Sequence, residues 1–403
     1  MAEPVIVATA RTPIGRASKG SLVDARPDDM SAFIVKDVLS KVAGLDPAEV
    51  EDIIWGIGQP GGEGGFNIGR IIAVMNEMEV PGVTVNRYCS SSLQTIRMAA
   101  HAIKAGEGDC FVAGGVETVS RYMNGAADTG PHNELFADAE QRSAERTSGE
   151  SGNWEAPNGL PDVYIAMGQT AENVAEHYNI NREDQDLFAF NSQKKYQEAK
   201  KNGRFKSEII PVEVPQKRGD PLIFEEDEHP RETDLDKMAK LPTPFKENGT
   251  VTAGNASGVN DGAGCLLIAS EDMVKKYSLR PLARYCGGAT AGVEPKYMGI
   301  GPVFSTRKIL RSLNIKMDQI GLIELNEAFA SQSLACIREL NMNENKVNIH
   351  GGAIALGHPL GATGSRITGK TASLIKKNDK RFGLATQCIG LGQGIATILE
   401  NIN

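Results

Sequence analysis

Two cysteines and one histidine stand where their side chains could do chemistry. Cys89 lies in TVNRYCSSSLQT, residues 84–95, where a strand-like run passes into a helical pattern with Leu93, Ile96, Ala100 and Ile103 at three- and four-residue spacing. A thiol attacks only as its thiolate, and from an ordinary pKa of about 8.5 it needs a helix N-terminus or a nearby imidazole to reach that form. The helix entrance supplies the first. Taken alone, Cys89 could equally be a small buried residue, with Ser90, Ser91 and Ser92 as ordinary helix caps.

His358 sits between Gly357 and Pro359 in GGAIALGHPLGATG, a turn with few side chains to pack against, so a loop histidine is expected rather than a core one. Gly351, Gly352, Gly357, Gly361 and Gly364 would let backbone approach a ligand, and a neutral imidazole there can take a thiol proton or donate to an oxyanion. Cys388 ends FGLATQC and meets IGLGQG, where bare N–H groups could form an oxyanion hole; a tight strand-end turn would want the same glycines. ELNEAFA places Asn326 and Glu327 just after an apolar strand, either as a cap or as donors that hold a water. Any one of these features is weak; their joint occurrence is not.

The elements that must position them alternate. PVIVATA, DIIWGIG, GVTVNRY, CFVAGG, PLARYCGGATA, IGLIELN, KVNIHGG and FGLATQCIG read as strands separated by helical patterns, which implies α/β layers. Strand, special loop, helix and a strand ending in glycines occur from Gly82 to Gly115 and again from Lys346 to Gly392, as a duplication would give. Both special loops then fall near one pseudo-twofold axis. Between about residues 121 and 250 the composition turns polar, with SGESGNWEAPNG and the helices AENVAEHY and REDQDLFAFNSQKKYQEAKKN, as in an inserted domain or elaborate loop. Its Lys194, Lys195, Lys200, Lys201, Arg204 and Lys206 form either a solvated helix face or a landing site for phosphates.

The 403 residues, 40% of them hydrophobic, can bury more than one core. A net charge of −8 argues against nucleic acid or an anionic membrane as general partner. The start MAEPVIVATA reads as a strand rather than a signal peptide, and no apolar run has membrane-spanning length. None of the six cysteines has CxxC spacing, so neither a zinc site nor a disulfide framework is expected, which fits the reducing cytoplasm. GIGQPG, residues 56–61, has GxGxxG spacing, but Pro60 opposes the helix that a dinucleotide fingerprint needs. His101, His132, His177 and His229 lack ligand spacing and read as surface or structural.

In this order along the whole chain, NRYCSSSLQ, GGVET, MGQTAENVA, TAGNASGVNDGA, MGIGP, ELNEAFA, GGAIALGHPLGATGSR and CIGLGQG resemble the thiolase family. VNRYC and the early RPDD look most like degradative 3-ketoacyl-CoA thiolases, and acetoacetyl-CoA thiolases share nearly all the motifs. The resemblance implies a five-layered αβαβα fold. Residues 1–120 with 251–275 would form one half, 276–403 the other, and 121–250 a loop domain that binds coenzyme A. It implies Cys89 as the acylated nucleophile, His358 as its activator, and Cys388 as the thiol that exchanges a proton with the acetyl-CoA carbanion. Asn326 would hold a water that forms one oxyanion hole with His358; the N–H groups of Cys89 and Gly390 would form the other.

The same resemblance assigns coenzyme A contacts to Met167, Arg231, Phe245, Ser257 and Phe329, and the acyl end of the pocket to Met298. It implies coenzyme A as substrate, no tightly bound cofactor, no metal, and a homodimer or homotetramer. The implied reaction is thiolytic cleavage of 3-ketoacyl-CoA in fatty acid β-oxidation, reversible as a Claisen condensation. Acetoacetyl-CoA synthesis is the alternative; a ketoacyl synthase and an inactive CoA-binding homologue are the rivals. Three departures lie near the site: Ser92 where the family usually has glycine, Leu391 inside its usual triple glycine, and Thr118–Val119 for its common Ser–Met. They bear on rate and chain length.

Overall fold

The computed structural model describes residues 2–122, 130–149, 159–216 and 219–402. Nearly all of SGESGNWEAPNG lies outside the described residues. The main strands are β1 (Pro4–Arg11), β2 (Asp52–Ile57), β3 (Gly82–Val85), β4 (Cys110–Thr118), β5 (Asn260–Ser270), β6 (Ala283–Gly292), β7 (Ile320–Leu325), β8 (Phe382–Ile389) and β9 (Gln393–Glu400). Their order is β7-β8-β9-β6-β1-β5-β4-β2-β3, with the short Gly15–Arg16 strand also on β5. A separate two-stranded sheet pairs Val212–Val214 with Leu222–Phe224.

The duplication is visible in the pairing. In the first half, β3 and β4 flank β2 in parallel, and β4, β5 and β1 continue antiparallel. In the second half, β7 and β8 pair in parallel, and β8, β9 and β6 continue antiparallel. The halves meet where β1 and β6 pair antiparallel over only two residues, Val5 with Arg284 and Ile6 with Ala283. β4 and β5 are buried along their full length, as expected for central strands covered on both faces.

Helices fill the equivalent crossovers. They are α1 (Pro27–Ser40), α2 (Ile68–Met75) and α3 (Ser91–Ala105) in the first half, and α6 (Gly301–Leu313), α7 (Ala330–Glu339) and α8 (Leu360–Lys377) in the second. Between them in sequence come α4 (Met167–His177) and α5 (Arg182–Lys201). Three apolar cores separate the layers. Met30 and Ile34 of α1 and Ile72 of α2 pack under the first sheet half. Leu93 and Ile96 of α3 and Ile367 and Leu374 of α8 share a core with both sheet halves, for example Leu266 and Ala385. Val303 of α6 and Leu334 of α7 cover the far side of the second half. The result is the αβαβα stack.

The central pair α3 and α8 packs almost backbone to backbone. A Cβ on Gly364 would lie 2.2 Å from the Leu93 nitrogen, so only glycine fits there. Next to it, the Ser365 N–H donates to Ser92 Oγ at 2.9 Å. The serine departure is thus a tie between the halves. α3 ends where Gly106 turns left-handed at φ 78°, and α6 ends at Asn314 with φ 53°.

KVNIHGG does not form the expected strand. Val347 makes one isolated parallel bridge to Ile323, and the chain then turns away. Asn348 takes a left-handed φ of 45°, and its side chain donates to the Leu325 carbonyl and accepts from the Leu325 N–H. One asparagine side chain therefore takes the place of the ladder. Among the described residues, no helix is long and apolar enough to cross a membrane.

Candidate active site

Cys89 occupies a single 3-10 turn, Tyr88–Ser90, between β3 and α3. The turn is held by its neighbours: Tyr88 N–H donates to Asn86 Oδ1, Ser91 Oγ donates to the Tyr88 carbonyl, and Arg87 N–H donates to Ser91 Oγ. The expected serine caps are not formed. Ser90 makes no side-chain cap bond, Ser91 locks the turn, and Ser92 reaches α8. α3 therefore opens without a side-chain cap, beside the thiol.

The backbone N–H groups of Gly390 and of Cys89 itself lie near enough to the Cys89 sulfur to lower its pKa. Two backbone donors, one from each half of the chain, thus face the Cys89 thiol. Cys89 retains 9% exposure, and burial pushes its thiol up to about 11 despite these donors. The helix entrance alone therefore does not yield a resting thiolate, because lost hydration outweighs it.

His358 is not a loosely packed loop residue: the turn folds under the molecule and leaves it 4% exposed. Its N–H donates to Asn260 Oδ1 at 3.0 Å, and Gly357 before it, at φ 101°, lies where a Cβ would meet that same carboxamide at 2.6 Å. Nδ1 lies 2.7 Å from Thr363 Oγ1, whose hydroxyl donates to the Pro359 carbonyl at 2.8 Å. This network assigns the proton to Nδ1 and leaves the Nε2 lone pair facing Asn326. Asn326 Nδ2 lies 3.3 Å from Nε2, and Asn326 Oδ1 is buried with no partner among the described residues. Burial, then the charge of Arg366, pushes His358 down to about 3, so the imidazole is neutral at physiological pH.

Cys388 is fully buried in β8, opposite Gly394 of β9. Burial raises its pKa well above the ordinary value, and a neighbouring Cys89 charge raises it further. It belongs to an apolar cluster with Ala171, Val251, Met298, Ala328 and Phe329, against which Met167 and Phe245 pack. Three of the residues expected around coenzyme A, Met167, Phe245 and Phe329, and Met298 expected at the acyl end, thus lie in the cluster of the second thiol. Ser257 joins through its backbone, donating to the Ala328 carbonyl at 2.9 Å. Arg231 does not join the cluster. Its N–H donates to Gln193 Oε1 at 3.1 Å, and its guanidinium bonds the Ala253 carbonyl.

Several positioning residues escape a motif-based reading. Glu117, at the end of β4, accepts from Gly58 N–H at 2.9 Å, Gln59 N–H at 3.2 Å and Gly361 N–H at 2.7 Å. GIGQPG is thereby a carboxylate-anchored turn. Gln387, one residue before Cys388, donates to the Cys89 carbonyl. Glu327 accepts from Ser192 Oγ, Asn348 Nδ2 and Ile354 N–H, and so holds the histidine loop rather than joining Asn326 at the site. A carboxylate ending an apolar strand and a hydroxyl five residues after the histidine were the available signals.

Comparison with known proteins agrees with this geometry. The thiolase N-terminal domain family matches residues 4–272, and the thiolase C-terminal domain family matches residues 279–401. The chain is 43% identical over 412 residues to a beta-ketoadipyl-CoA thiolase of Acinetobacter baylyi, with 100% of each chain covered. It is 41% identical over 413 residues to a 3-ketoacyl-CoA thiolase of Bacillus subtilis, covering 99% of this chain and 100% of the relative. The Bacillus anthracis acetyl-CoA acetyltransferase structure superposes with a TM-score of 0.86 at 35% identity, over 100% of this chain and 99% of that one. Human mitochondrial 3-ketoacyl-CoA thiolase does so with a TM-score of 0.86 at 36% identity and the same coverage. With both halves matched and the likeness running from end to end, the chain belongs to the thiolase family, whose members are acyltransferases.

Proposed function

We propose that this protein cleaves 3-ketoacyl-CoA with free coenzyme A through an acyl-Cys89 intermediate, giving acetyl-CoA and a shortened acyl-CoA. The observation that carries the reading is the meeting of the Cys89 sulfur with the Gly390 N–H, beside Cys388. His358 Nε2 takes the Cys89 proton as the sulfur attacks the 3-keto carbon. The C2–C3 bond breaks, its electron pair leaves as the acetyl-CoA enolate, and the Cys388 thiol gives that carbon a proton. Acetyl-CoA departs. Free coenzyme A then passes its thiol proton to Cys388 and takes the acyl group from Cys89, and His358 returns its proton to the released Cys89 sulfur.

The gain lies in splitting one difficult cleavage into two covalent steps, with charge developing at fixed donors. Each oxyanion donor contributes about 3 kcal/mol if it acts as in other acyl-transfer sites. The Cys89 and Gly390 N–H groups serve the acyl-enzyme carbonyl, and Asn326 with His358 serves the enolate. Met167, Phe245, Ser257, Phe329 and Met298 hold the pantetheine arm and acyl chain, with Arg231 at the outer end. Residues 121–250 act as the CoA-binding loop domain between halves formed by 1–120 with 251–275 and by 276–403.

The protein works as a cytoplasmic homodimer or homotetramer with no cofactor besides the coenzyme A substrate. An aliphatic acyl chain is favoured by the apolar surroundings of Cys388. The name of the Acinetobacter baylyi relative raises a second reading, a substrate with a distal carboxylate. Thiolysis rates for acetoacetyl-CoA, longer 3-ketoacyl-CoAs and 3-oxoadipyl-CoA decide among these. Turnover fastest on an aliphatic 3-ketoacyl-CoA supports the proposal, preference for 3-oxoadipyl-CoA selects the second reading, and no acyl adduct on Cys89 with any of them overturns both.

A further inference from the structure

Most glycines buried in this chain's tight contacts are there because nothing larger fits: a Cβ on Gly361 or Gly364 would come within 2.2 Å of backbone. Gly390 is different. It is buried, and its φ is not left-handed. A Cβ there would lie 3.7 Å from Tyr88 Cγ and 3.8 Å from Met167 Sδ, at ordinary van der Waals distance. The backbone does not demand glycine at this position; the bare Cα keeps a one-carbon space beside the N–H that meets the Cys89 sulfur.

The walls of that space are held at the cost of backbone strain. Among the described residues, the non-glycine positions with left-handed φ are mostly Asn, Asp and Ser; Tyr88 at 43° and Leu391 at 64° are its only aromatic and its only aliphatic members. They flank Cys89 and Gly390. Strain in bulky residues on both sides of one reacting atom marks a functional constraint. Tyr88 is pinned by Asn86 and Ser91. Leu391 is pinned by Gly392, where a Cβ would lie 2.3 Å from the Val293 carbonyl oxygen.

We infer that Tyr88 is a specificity-determining residue: with Met167 it bounds a slot over the Gly390 Cα that admits an unbranched carbon next to the acyl-Cys89 carbonyl and rejects a branched one. That carbon is C4 of the 3-ketoacyl substrate. This inference rests on the acyl-cysteine reading above and narrows its substrates to chains unbranched at C4.

The test follows acylation of Cys89 in the full chain by quenched-flow intact mass spectrometry, with butyryl-CoA and isobutyryl-CoA as donors. The butyryl adduct is expected to form at least about tenfold faster, the scale on which a pocket resolves one methyl group. Tyr88→Gly keeps the left-handed turn and is expected to bring the two rates within about threefold, whereas Tyr88→Phe keeps the discrimination. Met167→Ala opens the other wall and reads the same ratio should the glycine variant fail to fold. Equal rates in the unmodified protein, or an unchanged ratio in the opened variants, overturns the slot alone. Failure of both donors to acylate Cys89, with 3-ketoacyl-CoA also giving no adduct, overturns the acyl-enzyme reading and the slot with it.

Discussion

The two halves repeat one topology yet carry different chemistry at equivalent positions. Val116 and Thr386 are the last residues of β4 and β8 paired to their parallel neighbours, β2 and β7. One step on, Glu117 and Gln387 each reach across to the other half: Glu117 to the Gly361 N–H at the start of α8, Gln387 to the Cys89 carbonyl at the start of α3. One further step gives Thr118 in the first half and Cys388 in the second. The strand-to-helix turns diverge too, with a tight Cys89 turn in one and a long histidine loop in the other. Duplication supplied a symmetric frame, and substitution at its pseudo-twofold centre supplied two thiols and an imidazole that symmetry alone would not give.

The sharpest way to break that comparison is to remove one thiol at a time. Cys89→Ala is expected to abolish both acyl adduct and turnover. Cys388→Ala is expected to lower thiolysis by at least about a thousandfold while Cys89 still accepts an acetyl group from acetyl-CoA, more slowly, because the proton steps at Cys388 are lost and the nucleophile is kept. Intact mass separates the two outcomes; loss of the adduct in both variants would mean that the halves do not divide the labour.

The crossed ties should differ in strength. Glu117→Ala leaves two buried N–H groups and one half-buried one without their acceptor and should cost about 3 kcal/mol, whereas Gln387→Ala should cost about 1 kcal/mol, both read by urea unfolding. Equal losses would argue that the two positions are interchangeable after all.

The thiols should also be ranked by pH. Burial raises Cys89 to about 11 and also raises Cys388, which is fully buried, well above its ordinary value, so each holds its proton more tightly than a free thiol. Alkylation of Cys89 by iodoacetamide in the free enzyme should therefore rise about tenfold per pH unit through the neutral range, with Cys388 slower throughout. A neutral plateau would reveal a resting thiolate–imidazolium pair instead. The smallest effect is expected at Thr363→Val, which frees Nδ1 of His358 and should lower kcat by about tenfold or less with little change in KM.

Much of this was legible in the residues themselves. The apolar spacing of α3, the alternation of strands and helices, and the repeat from Gly82 and from Lys346, save its strand at KVNIHGG, correspond to elements present. The thiols and the histidine announce themselves because few residue types can do their work. What escaped reading is mostly polar and long-range. Glu117 touches residues 59 and 244 positions away, and no local pattern encodes such a partner. KVNIHGG has a strand's composition, but one asparagine side chain satisfies Leu325 and ends the ladder. The serines after Cys89 look like caps because capping is a local habit, whereas Ser92 answers to α8. The high pKa of Cys89 is hidden for a similar reason: a sequence displays the helix entrance and conceals the burial.

The absence of clearance between Gly364 and the Leu93 backbone bears on how this polypeptide can be assembled. A core sealed by one helix from each repeat offers neither repeat a finished surface of its own. Severed in the short connection between β5 and β6, the pieces would be sticky orphans when made separately and should regain solubility only on co-expression. The ancestor that carried a single copy would then have had to live as a pair.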